Sequence, residues 1–152
     1  MQNMIYPNCL YYIKNGKERQ WVCGVIRASD GDWVSGFVAN LGKGQILETE
    51  VWGFFIGLKL AIDKGIRNLV IVMDSATVVH FIQKPSLLAH HPHAALLSSC
   101  CEMMNQIGEC SIFHVYREKN GVADYLANWS YNFDLGLCVL GVCSYLDCFK
   151  TS

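Results

Sequence analysis

The sequence predicts one α/β domain in which a mixed, five-stranded sheet is flanked by helices. Three strand-like apolar runs separated by turn signals come first and indicate an antiparallel meander. A helix with one apolar stripe and a short β-branched strand follow, so the fourth strand is expected to join the sheet in parallel through a crossover. Two further helical patterns, a strand and a last helix complete the order β-β-β-α-β-α-α-β-α.

Length and composition are those of one domain with a full hydrophobic core. The chain has 152 residues, of which 52% are hydrophobic, and a formal net charge of −1. A net charge this close to zero does not give the basic field typical of nucleic-acid-binding proteins, but it does not exclude nucleic acid as a partner. The longest apolar run, residues 135–146, is too short for a transmembrane helix. We therefore expect an intracellular protein, nuclear or cytoplasmic, that is neither secreted nor bound to a membrane.

The eight cysteines are predicted to be mainly buried free thiols. Cys23, Cys100, Cys101 and Cys110 fall inside apolar patterns typical of helices or strands. No secretory signal is recognisable, and no pair has zinc-ribbon spacing. A disulfide framework is therefore disfavoured.

The first strand is predicted within residues 1–13, whose apolar and aromatic set ends at 9–13, and the next two strands are predicted at residues 21–27 and 33–39. Asn15 and Gly16 form an Asn-Gly pair, which supplies the positive φ angles of a tight hairpin turn. A second turn is predicted at residues 29–32, where serine, glycine and aspartates cluster. Consecutive strands joined by such short turns pair antiparallel.

The centre of the chain is a helix followed by a strand, with an acid near each. From Leu47 the apolar residues recur at the three-and-four spacing of an α-helix, which Gly65 ends. Asn68–Met73 is an apolar, β-branched run typical of a strand buried on both faces. Asp74 follows it at the carboxyl edge of the sheet, where open α/β folds bind ligands.

The remaining elements are predicted from shorter patterns. A short helix is expected around residues 78–82, a helix at Ala94–Ile107, a strand at 111–116 and a last helix at 120–129. The tail has no clear period. We accordingly expect a domain over residues 1–137 and a divergent tail over residues 138–152.

Three carboxylates occupy related places in this order of elements. Glu50 lies on the first helix, Asp74 follows the fourth strand, and Asp124 lies on the last helix. Carboxylates gathered at one sheet edge are the oxygen ligands that Mg²⁺ prefers. Acids at helix starts also stabilise the helix dipole, and an acid after a strand is an ordinary turn residue. From spacing alone both interpretations stay open.

Five local strings, in this order and spacing, resemble the plant branch of the ribonuclease H family, which is related to retroelement reverse transcriptases. The strings are GVIR with DGDW, LETEVWG, VMDS, HVYREKN, and ADYLAN, within residues 24–128. The resemblance extends over residues 8 to about 137 and implies the ribonuclease H fold.

The resemblance also implies an activity, which is Mg²⁺-dependent endonucleolytic hydrolysis of the RNA strand of RNA–DNA hybrids. It implies Glu50, Asp74 and Asp124 as ligands of Mg²⁺, or alternatively Mn²⁺, and His114 as a catalytic residue for proton transfer or product release. A histidine that merely ends a strand is the alternative for His114. Glu48 corresponds to an accessory acid at the helix start. The implied partner is nucleic acid, either RNA–DNA hybrid or double-stranded RNA or DNA.

The first strand departs from the family pattern, because the family carries there an aspartate that contacts both metals. No aspartate precedes Asp30, and we expect Leu10 or a direct neighbour in that place. An alternative to the active enzyme is therefore a catalytically inactive, retroelement-derived binding domain. A protein-interaction module that has lost nucleic-acid binding is a third alternative.

Two other groups of side chains admit a functional and a structural interpretation. The loop histidines His90, His91 and His93 suit a transition metal or, with better support, an ordinary solvated loop. A second group combines cations with aromatic rings and suits either nucleic acid or a solvated hairpin. Its members are Lys14, Lys17, Arg19, Trp21, Arg27 and Trp33.

Overall fold

A computed structural model of the chain describes residues 3–14, 17–115 and 136–140, with side chains described over residues 22–115. The strands are β1 (Asn3–Lys14), β2 (Lys17–Ala28), β3 (Trp33–Gly42), β4 (Asn68–Met73), β5 (Glu109–His114) and β6 (Gly136–Leu140). The helices are α1 (Ile46–Asp63), α2 (Ala76–Gln83) and α3 (Ala94–Ile107), and a short 3-10 helix spans Pro85–Leu88. The predicted turn at residues 15–16 and the predicted last helix at residues 120–129 lie outside the described residues.

Over the described residues the strands form one mixed sheet in the order β5-β4-β1-β2-β3-β6. Strands β1, β2, β3 and β6 pair antiparallel, whereas β1, β4 and β5 pair in parallel. The α/β architecture is as predicted, but the prediction of five strands was wrong, because β6 adds a sixth strand beside β3. The predicted domain boundary at residue 137 falls inside β6. The division into a domain and a tail stays a prediction.

The parallel strands define the edge at which the site lies. Residues 3–5 of β1 pair with residues 69–71 of β4, and β4 pairs with β5 along its whole length, up to Met73 opposite His114. Successive parallel strands end at the same edge of a sheet, so the carboxyl ends of β4 and β5 lie side by side.

Helix α1 packs against the sheet and against α3. Its buried residues are Thr49, Val51, Gly53, Phe54, Gly57, Leu58, Leu60 and Ala61. Gly53 faces Val22 of β2 so closely that a Cβ atom at position 53 would overlap the Val22 side chain. Gly65 follows the helix with φ of 72°, the left-handed conformation expected of a C-terminal glycine. The close packing fixes α1, and with it Glu50, relative to the sheet.

Strand β4 lies in the core, as its sequence predicts. Leu69, Ile71, Val72 and Met73 are all buried. Leu69, Ile71 and Met73 belong to a larger cluster that includes Phe37, Phe54, Leu58 and Leu97. Among the residues whose helices are described, none forms a segment long and apolar enough to cross a bilayer.

Cys23 and Cys100 are buried, as predicted, whereas Cys101 and Cys110 are half-buried, and none of these four cysteines is in a disulfide. Burial raises the pKa of Cys100 to about 12, with a smaller contribution from neighbouring Cys101. Burial also raises the pKa of Cys110 to about 11. These thiols are protonated at neutral pH, which is typical of structural rather than reactive cysteines.

Candidate functional site

The candidate site lies where β4 ends and α2 begins. Asp74 follows Met73, the last residue of β4, and its side chain is half-buried. Ser75 is the N-cap of α2, with extended backbone angles, and its hydroxyl accepts a hydrogen bond of 3.3 Å from the amide of Val78. Serine is a preferred N-cap residue because its hydroxyl satisfies an amide that has no partner inside the helix. This turn sets the position of Asp74.

Glu50 of α1 reaches the same turn. The Ser75 hydroxyl donates a hydrogen bond of 2.6 Å to Oε2 of Glu50, and the two residues are 25 positions apart in the chain. This distance is typical of a hydroxyl bonded to an ionised carboxylate. The Glu50 carboxylate therefore lies beside Ser75, the residue directly after Asp74, at the carboxyl edge of β4.

His114 lies next to this edge on the neighbouring strand. It is the register partner of Met73, and its side chain is exposed. The amide of Val115 donates a hydrogen bond of 2.8 Å to the carbonyl of Met73, which holds the end of β5 beside the end of β4. Glu50, Asp74 and His114 thus belong to three adjoining elements of one edge.

Asp124, the third predicted metal ligand, lies outside the described residues. Within residues 22–115, no three histidine, cysteine, aspartate or glutamate side chains are grouped so as to hold a metal ion. The donors that the described edge offers are the carboxylates of Glu50 and Asp74. Carboxylate oxygens are ligands of Mg²⁺ and Mn²⁺, so the donor chemistry fits such an ion.

Glu48 lies on a different side of α1 from Glu50. It lines a cavity of about 250 Å³ together with Leu41, Lys43, Gly44, Thr49 and Trp52, at the end of β3. Two residues correspond to about 200° around an α-helix, so the two glutamates diverge. Glu48 is therefore separated from the Ser75 turn.

The loop histidines are engaged in local structure. The amide of His93 donates a hydrogen bond of 3.1 Å to Nδ1 of His91, and the His91 ring packs on Phe81 with 4.6 Å between ring centroids. These contacts fit a turn before α3. Among the described side chains these histidines form no group that could hold a metal ion, so the transition-metal interpretation of the loop is not supported.

The predicted cationic and aromatic surface is described in part. Arg27 and Trp33 are register partners across β2 and β3, and both side chains are half-buried. The side chains of Lys14, Lys17, Arg19 and Trp21 lie outside the described ones. A role for this group in binding stays a prediction.

The role of Ser75 at this edge was not predicted from the sequence. A serine directly before the apolar residues of a helix is a sequence signal for an N-cap. The bond to Glu50, by contrast, joins distant segments, and no local pattern indicates it.

A family model described as reverse transcriptase-like matches residues 13–130 of this chain. An Arabidopsis thaliana protein with the provisional name of a ribonuclease H protein is 34% identical over 113 residues. The match covers 74% of this chain but 18% of that relative, so the chain spans less than a fifth of its length.

Solved structures share the fold at lower identity. Ribonuclease H1 of the halophilic archaeon Halobacterium salinarum is 20% identical with a TM-score of 0.65, covering 87% of this chain and 98% of that one. The foamy viral protease-reverse transcriptase in complex with RNA/DNA hybrid is 16% identical with a TM-score of 0.72, covering 86% of this chain and 20% of that one. At these identities the likeness shows the fold alone, and that fold is the ribonuclease H-like fold that the sequence predicts.

Proposed function

The chain belongs to the reverse transcriptase-like family, within its plant ribonuclease H-like domains, and on that premise we propose that it binds RNA–DNA hybrid and hydrolyses the RNA strand in a weakened, Mg²⁺-dependent reaction. The observation that carries this proposal is the bond between Ser75 and Glu50. It brings the Glu50 carboxylate to the turn that holds Asp74, at a sheet edge where α/β folds bind ligands.

Glu50 and Asp74 are the residues described in the structure that would hold the ion, and Asp124 is the further ligand that the family pattern supplies. A bound divalent ion would supply an activated water and would neutralise charge on the leaving oxygen. The chain itself contributes the fixed orientation of Glu50, set by Ser75. We propose that His114, whose side chain is exposed at the end of β5, acts in proton transfer to the leaving group or in product release.

The weakness of the reaction follows from the first strand, which has no aspartate. The described pairing of β1 with β4 ends with Ile5 opposite Ile71, and the same register continued for three more residues would bring Asn8 level with Asp74. We therefore propose position 8, and not Leu10 or a direct neighbour, as the place of the family aspartate. Asparagine keeps one oxygen but no charge, so it binds a dication more weakly than aspartate does.

A second candidate function is binding without hydrolysis, and the missing aspartate is the specific observation that favours it. A ligand shared by two dications contributes charge and coordination to both, so its loss weakens catalysis more than it weakens contacts with a phosphate backbone. The two candidates differ in turnover and agree in binding.

Binding is tested with a labelled RNA–DNA hybrid, and single-stranded and duplex DNA of the same sequence serve as controls. Hybrid recognition through backbone shape and the 2′-hydroxyl predicts tighter binding of the hybrid than of the DNA duplex. Affinity should fall steeply from low to physiological salt, since phosphate contacts release counterions. Equal affinity for all three nucleic acids would contradict the proposal. Binding to none of them would also contradict it and would favour a protein-interaction module.

A further inference from the structure

We infer that Ser75 is a positioning residue that orients the Glu50 carboxylate for the ion, an inference that rests on the proposed function. Its hydroxyl is the junction of two bonds, because it donates to Oε2 of Glu50 at 2.6 Å and accepts from the amide of Val78 at 3.3 Å. A hydroxyl has a single proton, and the bond to Glu50 uses it. The amide of Val78 in turn occupies a lone pair on the oxygen, so both bonds together fix the direction of the hydroxyl.

Burial makes this junction rigid. Ser75 is 5% exposed, so the hydroxyl is shielded from water that would otherwise compete for its bonds. Its carbonyl also accepts a hydrogen bond of 3.2 Å from the amide of Val79, which anchors its backbone to α2. Glu50 is thereby tied to the first turn of a helix whose start also sets the position of Asp74. An isolated glutamate on α1 would have three side-chain torsions to restrict when an ion binds.

This arrangement makes Ser75 act through Glu50. Residues that orient metal ligands by hydrogen bonds typically change metal affinity by about 10- to 100-fold when they are replaced. If Ser75 were only a structural N-cap, its replacement would change the stability of the fold and leave the Mg²⁺ affinity of the folded protein unchanged. The two roles therefore separate experimentally.

The test uses the full chain and MgCl₂ alone, with amide chemical shifts of the β4–α2 turn followed by NMR during titration. The variants are Ser75→Gly, Ser75→Thr and Glu50→Gln. Glycine keeps most of the N-cap preference but has no hydroxyl, whereas threonine keeps both the cap and the donor. Urea unfolding of each variant measures the structural effect separately.

We expect Ser75→Gly to weaken Mg²⁺ binding by about tenfold or more. Ser75→Thr should bind Mg²⁺ with nearly the affinity of the unaltered chain, and Glu50→Gln should not bind it. Equal Mg²⁺ affinity of Ser75→Gly and the unaltered chain, with Glu50→Gln still deficient, would overturn the role of Ser75 and leave the proposed function standing. Mg²⁺ binding that does not depend on Glu50 would overturn both. If Ser75→Gly fails to fold, Ser75→Cys replaces it, because a thiol keeps the shape of the side chain but is a weaker hydrogen-bond donor. This variant should lose part of the Mg²⁺ affinity. An unchanged Mg²⁺ affinity in Ser75→Cys would again overturn the role of Ser75.

Discussion

Gly53 of α1 lies directly against the side chain of Val22 in β2, with no room between them for a methyl group. Val22 is 1% exposed, so it has little freedom to move aside. The absence of a side chain at position 53 lets α1 approach the sheet closely. Because Glu50 lies one turn earlier on the same helix, this contact helps to set its distance from the Ser75 turn.

We expect Gly53→Ala to lower the free energy of unfolding, although alanine has the higher helix propensity. Overpacking of a well-packed core typically destabilises a protein by about 1 to 3 kcal/mol. The gain in helix propensity from glycine to alanine is at most about 1 kcal/mol, so the overpacking cost should exceed it. Lys59→Ala, at an exposed position of the same helix, is the matched control and should change stability by about 0.5 kcal/mol or less. Urea unfolding of both variants measures the difference. A Gly53→Ala protein more stable than the unaltered chain would show that α1 shifts without penalty.

The two glutamates of α1 should differ in their effect on metal binding. Glu50 is bonded to Ser75, whereas Glu48 lines the separate cavity with Lys43 and Trp52. Glu50→Gln should therefore abolish Mg²⁺ binding measured by calorimetry, and Glu48→Gln should preserve it. Since both substitutions remove one charge two residues apart, a general electrostatic effect would weaken both variants alike and would contradict the assignment.

The first strand offers a gain-of-function prediction. Asn8→Asp should raise the rate of Mg²⁺-dependent hybrid cleavage, because it supplies a carboxylate at the position level with Asp74 in the continued β1–β4 register. Transition-state interactions worth about 4 kcal/mol correspond to roughly a thousandfold in rate, which bounds the expected gain. Cys9→Asp, Leu10→Asp and Tyr11→Asp are the matched controls, and cleavage is followed on a labelled hybrid. A gain from Leu10→Asp with none from Asn8→Asp would instead locate the family position at residue 10.

Alkaline pH should destabilise the fold through thiols whose pKa is raised by burial. The pKa of Cys100 is raised by burial from 9.0 to about 12, and that of Cys110 to about 11. Thiols of the unfolded chain ionise at lower pH than these, so the stabilisation is complete below pH 9.0 and is lost as the pH rises toward the folded values. Each such group contributes a slope of at most about 1.4 kcal/mol per pH unit.

Unfolding free energies measured between pH 8 and pH 11 test this dependence. Cys100→Ala should have a shallower decline with pH than the unaltered chain. Ser98→Ala, at an exposed position of α3, has no thiol to remove and should keep the full decline. Identical slopes in all three proteins would show that ionisation of Cys100 does not contribute.

The sequence predicted those elements whose patterns are long or strongly apolar. The bounds of β4 and α3 are those predicted, because a buried β-branched run and a helical period extend over the whole of each element. Strand β6 was missed because five apolar residues without alternation do not distinguish a strand from other buried structure. Pairing with β3, a contact distant in sequence, makes that segment a strand.

The candidate site was predictable as far as residue types and edges are concerned. Asp74 follows a buried strand, and His114 ends the neighbouring one, so topology alone brings them to one edge. The bond from Ser75 to Glu50 was not predictable, since it depends on how closely α1 approaches the sheet. That distance depends in turn on tertiary packing such as the contact of Gly53 with Val22.

The most direct test of the central claim is the rate at which the unaltered chain and its Asp74→Asn variant cleave the RNA strand of a labelled hybrid, each with and without Mg²⁺. We predict slow cleavage that requires Mg²⁺ and that disappears in Asp74→Asn, because the substitution removes a charged oxygen donor from the turn that Glu50 reaches through Ser75, while keeping the shape of the side chain. Cleavage that persists in a folded Asp74→Asn protein, or that proceeds equally without the ion, would contradict the account.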